Sequence, residues 1–414
     1  MLKLVENKRN SNNVVSEVNG RIELIRQLIP LGLEAVRDVL EEEVNDLVGE
    51  RYSRTGGDNK RWGSNAGSVY IGDQKVKIRV PRVRDLKNGK EIELINYQKL
   101  KDSTHFDEQA FKHVINGLSM RNYSKATESL PETFGVSSSN VSSKFKLATE
   151  KRLKELFDRD LSKEDIVAIF IDGKSFKGTQ IMIALGVTIK GVKIPLGFME
   201  TSTENASVCS DFINALIDRG LNVENEILMV VDGAKGILKA IKKVLGDKGI
   251  IQRCQWHKRE NIVSYLPKSH QEEFRSKLQK AYQKSTYEEA KASLLKIRKE
   301  LVLLNQDAAN SLDEGFEETL TIHKLGVFDK VGRSFKTTNC IENLNRNMER
   351  IVGRVCRWHD SKHKRRWVAS ALLEIEKGFK IVEGYKQLPL LRIQMRNINL
   401  LKEGKISSDK KMAA

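Results

Sequence analysis

Residues 166–173 read Ile-Val-Ala-Ile-Phe-Ile-Asp-Gly, and residues 226–233 read Glu-Ile-Leu-Met-Val-Val-Asp-Gly. Each is a short apolar run of the kind buried on both faces of a sheet, closed by a turn dipeptide. A carboxylate at the end of a buried strand is costly unless it lies at the sheet rim beside a cation or hydrogen-bond donors. Either run alone reads most simply as a strand ending in an Asp-Gly turn. Two such strands side by side would bring the charges of Asp172 and Asp232 close enough to repel. A bound divalent cation is the usual reason a fold tolerates that. The pair points to a metal site.

Working outward, Ile181–Ile189 and Lys193–Met199 are two further apolar strands, joined by Lys190-Gly191-Val192. Val208–Ile217 is amphipathic with helical spacing, with Val208, Phe212, Leu216 and Ile217 on one side. Ala234–Leu245 reads as a helix and Gly249–Arg253 as a short strand. The order of three strands, helix, strand, helix, strand is that of a ribonuclease-H-like α/β core whose sheet mixes antiparallel and parallel strands. Phosphoryl transfer by two metal ions calls for a third carboxylate. Glu342, in Thr337-Thr-Asn-Cys-Ile-Glu-Asn-Leu-Asn-Arg346, is the best candidate. Thr or Asn would cap that helix, and Ile341, Leu344 and Met348 would face the core. Helix statistics alone would make Glu342 a surface partner of Arg346, and Glu349 is the competing acid.

The long stretch between Asp232 and Glu342 exceeds what such a core needs. From Lys258 to about Leu325 it has helical periodicity, with Phe274, Leu278, Ala281, Tyr282, Ala290, Leu294, Leu295 and Ile297 as expected core residues. Cys254 and His257 have the Cys-x-x-His spacing of two zinc ligands, but the absence of a second close pair argues against a structural zinc. We read Cys254 as buried at the strand end and His257 as directed toward the carboxylates, where it orients a phosphate or a carboxylate. A plain hydrogen-bonded histidine is the alternative.

The chain has 414 residues, 72 Lys and Arg against 55 Asp and Glu, and a net charge of +17. Nine cations against two acids fall between Lys60 and Lys90, and 15 against six follow Ile351. Such clusters suit a polyanionic partner, since neutralised phosphates release counterions. Four scattered cysteines and no apolar stretch of membrane length point away from a disulfide scaffold or a membrane protein. Arg21–Val48 is amphipathic, with Leu33, Val36, Leu40, Val44 and Leu47 in one stripe. A Gly-, Asn- and Arg-rich loop, Arg51–Gly67, should follow, then strands at Ser68–Ile71 and Gln74–Pro81 joined at Gly72-Asp73. In the second strand Val76, Ile78 and Val80 share one face, and Lys75, Lys77 and Arg79 the other. Tyr123–Leu130, the turn at 131–137 and Ser139–Glu155 read as a helix-turn-helix. Its second helix carries Ser139, Asn140, Ser142, Ser143 and Lys144 for the major groove. Arg357–Trp367 mixes cations and aromatics, which suits exposed DNA ends or a basic loop entering a core helix.

Several segments together resemble the IS256/Mutator group of DDE transposases across nearly the whole chain. They are Ile78-Arg-Val-Pro-Arg82, Phe170-Ile-Asp-Gly173, Val230-Val-Asp-Gly-Ala-Lys-Gly236, Gln252-Arg-Cys-Gln-Trp-His257 and Thr337–Asn345. The resemblance implies an enzyme that binds the terminal inverted repeats of an insertion sequence and catalyses metal-dependent DNA cleavage and strand transfer. Asp172, Asp232 and Glu342 would hold Mg²⁺, with Mn²⁺ as substitute, and His257 would assist. It also implies double-stranded DNA, both ends and target, as partner, a homodimer or higher assembly on it, and a cytoplasmic, nucleoid-associated place in a prokaryotic host. The group commonly has Lys or Arg seven residues after the Glu. Here that position is Glu349, so Arg346 or Arg350 would serve. The alternatives are a nuclease of the same fold without strand transfer, or a transposase-derived repressor without activity. The expected organisation is an N-terminal helical region with a small basic β element (1–100), the helix-turn-helix (101–160), the core in two parts (161–257 and 329–385) around an all-helical insertion (258–328), and a basic tail (386–414).

Overall fold

The computed structural model describes residues 31–52, 57–71, 74–102, 104–118, 138–176, 178–201 and 205–402. Two sheets organise the α/β chain, in two compact units, Met1–Ala148 and Thr149–Ala414.

In the first unit, helix α1 (residues 31–48) lays Val36, Leu40 and Val44 on Val69, Ile78, Val80 and Val83 of the sheet. The sheet is β1 (Asn59–Ile71), β2 (Gln74–Asp85) and β3 (Glu91–Ile92), antiparallel in that order. The apolar stripe and the two-faced strand are both present, with Val76, Ile78 and Val80 inward and Lys77 and Arg79 exposed. The expected loop at 51–67 is a correction, because β1 starts at Asn59. Glycine makes this strand possible. A Cβ on Gly67 would sit 2.5 Å from Val80 and 2.6 Å from the Tyr97 hydroxyl. Gly63, at φ +80°, lies inside the register shift between Arg61 and Ser64. Arg61 then anchors the strand to α1, donating to Glu41 at 2.7 Å and to Asn45. Two short helices follow, α2 (Ile95–Leu100) and α3 (Thr104–Ile115). The next helix, α4 (Ser138–Phe157), carries Phe145 stacked on Phe111 at 5.6 Å. The expected first helix and turn of the helix-turn-helix lie outside the described residues.

The second unit is built on β4 (Ile166–Phe176), β5 (Thr179–Thr188), β6 (Lys193–Thr201), β7 (Ile227–Val231) and β8 (Gly249–Arg253). The spatial order is β6-β5-β4-β7-β8. The first three pair antiparallel, and β4, β7 and β8 run parallel. Parallel neighbours need crossovers, and α5 (Ala206–Asp218) and α6 (Lys235–Leu245) supply the helical stretches of these two. Their apolar stripes, Phe212, Ile213 and Leu216 with Ile237 and Ile241, bury Ile169, Ile171, Met229 and Val231 in one core. On β4, alternation sends Phe170 the other way, where it stacks on Phe335 at 5.7 Å.

After β8 comes a helical run: α7 (Gln255–Ser264), α8 (Lys268–Tyr282), α9 (Tyr287–Leu304), α10 (Gln306–Asp313), α11 (Phe316–Thr319) and α12 (Thr321–Lys324). These share their own apolar cluster, including Phe274, Leu278, Tyr282, Ala290, Leu294, Ile297 and Leu301. Leu295 is a correction, being 42% exposed. Its neighbour Leu294 takes the inward position at i, i+3 and i+7 with Ile297 and Leu301. The chain re-enters the sheet region through α13 (Phe328–Phe335), α14 (Asn339–Val352) and α15 (Ser361–Glu376). The segment expected as a tail contains α16 (Leu388–Lys402), which buries Leu388, Leu391 and Met395. Arg392 ties it to β4, donating to the Ile166 carbonyl at 2.7 Å.

Candidate active site

Parallel pairing sets Ile171 opposite Val231 and Val231 opposite Arg253. The next residues, Asp172, Asp232 and Cys254, therefore lie level with one another on three neighbouring strands, with strand axes about 4.8 Å apart. Asp232 and Cys254 follow the ends of β7 and β8, but the expected strand end at Asp172-Gly173 is a correction: β4 runs on to Phe176, with Asp172 paired to Ile183 of β5. Asp232 also does what a turn aspartate does, accepting from the Ala234 N–H at 3.0 Å. Its turn is built for close approach. Gly233 sits at φ +102°, and a Cβ there would lie 2.2 Å from Arg253 Nε. Buried Arg253 donates through Nη1 to the Glu314 carbonyl at 3.0 Å. Its Nη2 reaches the Gly233 carbonyl at 3.4 Å.

Helix α14 brings the third carboxylate. Ile341, Leu344 and Met348 face the core, which turns Glu342 and Asn345 toward the strand ends. Asn345 is 3% exposed, and its Nδ2 donates to Asp172 Oδ2 at 2.8 Å. Thr338, the N-cap residue, makes no side-chain cap bond. Its hydroxyl instead donates to Glu342 Oε1 at 2.8 Å and lies 3.3 Å from His257 Nδ1 and 3.4 Å from Cys254 Sγ. His257 Nε2 stands 3.9 Å from Glu342 Oε1. Burial opposes a charged His257 ring. The hydrogen bond and negative charge of Cys254, with Glu342 and Asp172, outweigh it and raise the ring to about 9. Burial likewise opposes a Cys254 thiolate, but the His257 and Thr338 hydrogen bonds pull its pKa below the usual thiol value. The ligand atoms of Cys254, His257 and Glu342 all lie within 4.8 Å of one another.

The sequence profile described as "Transposase, Mutator family" matches residues 3–381. The chain belongs to the Mutator family of transposases. It is 27% identical over 285 residues to the transposase of insertion sequence IS256 in transposon Tn4001 from Staphylococcus aureus, covering 66% of this chain and 70% of that protein. It is 26% identical over 352 residues to the ISRM5 transposase of Rhizobium meliloti, 81% and 83% of the two chains. The IS905 transposase of Lactococcus lactis is 26% identical over 332 residues, 76% and 80%.

In this Mutator-family member the expected DNA-contact residues fall in two places. Ser139, Ser142 and Ser143 are exposed on α4, and the Asn140 side chain lies outside the described residues. Lys144 lies over the Tyr70 ring at 5.2 Å. Arg346 and Arg350 are exposed on α14, one turn apart. Glu342 makes no ion pair with Arg346 among the described residues. Glu349 is exposed and pairs with Lys174 at 3.6 Å. The basic run at 357–367 is partly consumed within its own unit, Lys364 pairing with Glu200 at 2.6 Å and Arg366 with Glu150 at 3.1 Å. Sequence reasoning missed the roles of Thr338, Asn345 and Arg253. Thr338 at i−4 and Asn345 at i+3 from Glu342 share its helical face, a signal that was available. Arg253 carried none, because a buried arginine cannot be told from an exposed one by spacing.

Proposed function

We propose that this family member is a DDE transposase, with Asp172, Asp232 and Glu342 as its acidic triad on a ribonuclease-H-like core interrupted by the helices at 255–324. The observation that carries this reading is the alignment of Asp172 and Asp232 on adjacent parallel strands, under a helix whose Asn345 grips Asp172. The strand order and the mixed pairing support the core assignment. The donor set suits Mg²⁺, since all three acids offer only hard oxygen ligands. Bound there, Mg²⁺ would supply Lewis-acid neutralisation of charge developing at the scissile phosphodiester.

The protein's own residues do the positioning. Asn345 fixes the Asp172 carboxylate and Thr338 fixes Glu342, so neither acid has to be ordered at the moment of reaction. His257, held in its charged form, can donate to a phosphate oxygen or steady Glu342. Arg346 and Arg350 offer exposed cations for the DNA backbone. The helix bearing Ser139, Asn140, Ser142, Ser143 and Lys144 reads the terminal inverted repeats, and the protein works on double-stranded DNA as a dimer or higher assembly. Among the described residues, no helix is long and apolar enough to cross a membrane.

The test is a labelled duplex carrying the element end, incubated with the full chain and Mg²⁺. Nicked ends joined to a target plasmid, lost in Asp172→Ala and Asp232→Ala while end binding persists, are the expected products. Cleavage without joining would make the protein a nuclease. Binding without cleavage would make it a repressor.

A further inference from the structure

The fold supplies what the Cys-x-x-His spacing lacked. Cys254 comes from the end of β8, His257 from the first turn of α7, and Glu342 from α14 after the long helical run. Their ligand atoms lie within 4.8 Å of one another. Tetrahedral zinc, with bonds of about 2.0–2.3 Å, needs ligand atoms roughly 3.3–3.8 Å apart, so separations within 4.8 Å need draw in by no more than about 1.5 Å. The 3.9 Å separation of His257 Nε2 and Glu342 Oε1 is already near that range. Three protein ligands would leave one coordination position for water. Cys254 is fully buried, whereas His257 and Glu342 keep 30% and 33% of their side-chain surface.

Outer hydrogen bonds already aim the three groups. The Thr338 N–H donates to Cys254 Sγ at 3.4 Å and its hydroxyl donates to Glu342 Oε1 at 2.8 Å. The same hydroxyl oxygen lies 3.3 Å from His257 Nδ1; in the Nδ1-protonated neutral tautomer it accepts from that nitrogen, and Nε2, its proton displaced by the cation, is the ligand. This is the outer-shell pattern that fixes a histidine tautomer at metal centres. A sulfur, nitrogen and oxygen donor set selects Zn²⁺ over Mg²⁺, which requires hard oxygens in octahedral array. Asp172 and Asp232 are such oxygen donors. The two donor sets differ in softness and meet at Glu342.

We propose that Cys254, His257 and Glu342 form a site for a thiophilic divalent cation, Zn²⁺, whose occupation withdraws Glu342 from the acidic triad and stops cleavage. The binding stands on the geometry of the trio, and its effect on cleavage rests on the function proposed above. Co²⁺ is the probe, titrated into the reduced full-length chain. One equivalent should give tetrahedral absorption with a thiolate-to-cobalt charge-transfer band, displaced by stoichiometric Zn²⁺ but not by about a hundredfold more Mg²⁺. Cys254→Ser should abolish the band. Thr338→Val, which keeps shape and removes only the hydroxyl, should weaken Co²⁺ binding about tenfold with an unchanged circular dichroism spectrum. Equimolar Zn²⁺ should suppress Mg²⁺-supported nicking. No band, a band surviving Cys254→Ser, or displacement by equimolar Mg²⁺ overturns the site. Asp172→Asn separates the two readings, since it should keep the band and lose nicking. Nicking that survives it refutes the acidic triad and leaves the cation site standing.

Discussion

Replacing Gly233 with alanine tests how the Asp232 turn is held. At φ +102° an L residue is strained, at a cost of roughly 1–3 kcal/mol. The new Cβ would also lie 2.2 Å from Arg253 Nε and 2.3 Å from Nη2, so the guanidinium must leave. That forfeits charged hydrogen bonds to the Glu314 and Gly233 carbonyls, another 1.5–3 kcal/mol or about that. The sum is about 2.5–6 kcal/mol. Urea unfolding followed by tryptophan emission reads this unit, which holds Trp256, Trp358 and Trp367. The discriminating measurement is the double-mutant cycle with Arg253→Ala. With the guanidinium gone only backbone strain remains, so Gly233→Ala should cost about 2 kcal/mol less in that background. Gly315→Ala, at φ +70° with its Cβ 2.0 Å from Arg253 Nη1, should show the same coupling from the other side. Equal costs with and without Arg253, within about 0.5 kcal/mol, would refute the wedge.

Glu342→Gln keeps size and helix propensity but removes a negative charge, and nicking should collapse. Glu349→Gln, which breaks only an exposed pair with Lys174, should leave the rate near wild type and cost well under about 1 kcal/mol of stability. The reverse pattern in a nicking assay would move the third carboxylate to Glu349. Leu294→Ala should lose about 2–5 kcal/mol by urea denaturation and Leu295→Ala under about 1, because only Leu294 is in the helical core. Burial of His323, stacked on Phe328 at 3.8 Å, pulls its pKa from 6.5 to about 4. The unfolded chain therefore takes the proton first. This contribution is complete above pH 6.5 and falls away as pH drops toward about 4, by on the order of 3 kcal/mol. Urea midpoints measured down from neutral pH should fall less steeply for His323→Leu. Equal slopes would dismiss the effect.

The elements of the larger unit were legible because their signals are local. Ile166–Ile171 and Glu226–Val231 are apolar runs too short for helices and too continuous for exposed strands. The Asp-Gly after the second run ends its strand, whereas pairing with β5 carries β4 through Asp172-Gly173 to Phe176. Gly249–Arg253 fell in the same residues in sequence and structure. The strand at Asn59–Gly67 was not legible. Its glycines and asparagines carry turn propensity, and what makes them extended is a partner strand, Val80 and Tyr97 pressed on Gly67, and Arg61 held by α1. Leu294 and Leu295 look alike to a hydropathy pattern, and only the packed neighbours choose between them.

The sequence by itself determined that two buried strands each lead into an Asp-Gly pair, that a third carboxylate follows on a helix, and that the family is Mutator. Each of these is written in residues that are consecutive or at helical spacing. Tertiary structure decided what those residues meet. Parallel pairing set Asp172, Asp232 and Cys254 level with one another across β4, β7 and β8, and the return of α14 carried Asn345 to Asp172 and Glu342 to His257. Thr338 gave up its helix cap to join Cys254, His257 and Glu342. Such contacts join residues far apart in the chain, and side-chain reach across a folded core has no periodicity for a sequence to display.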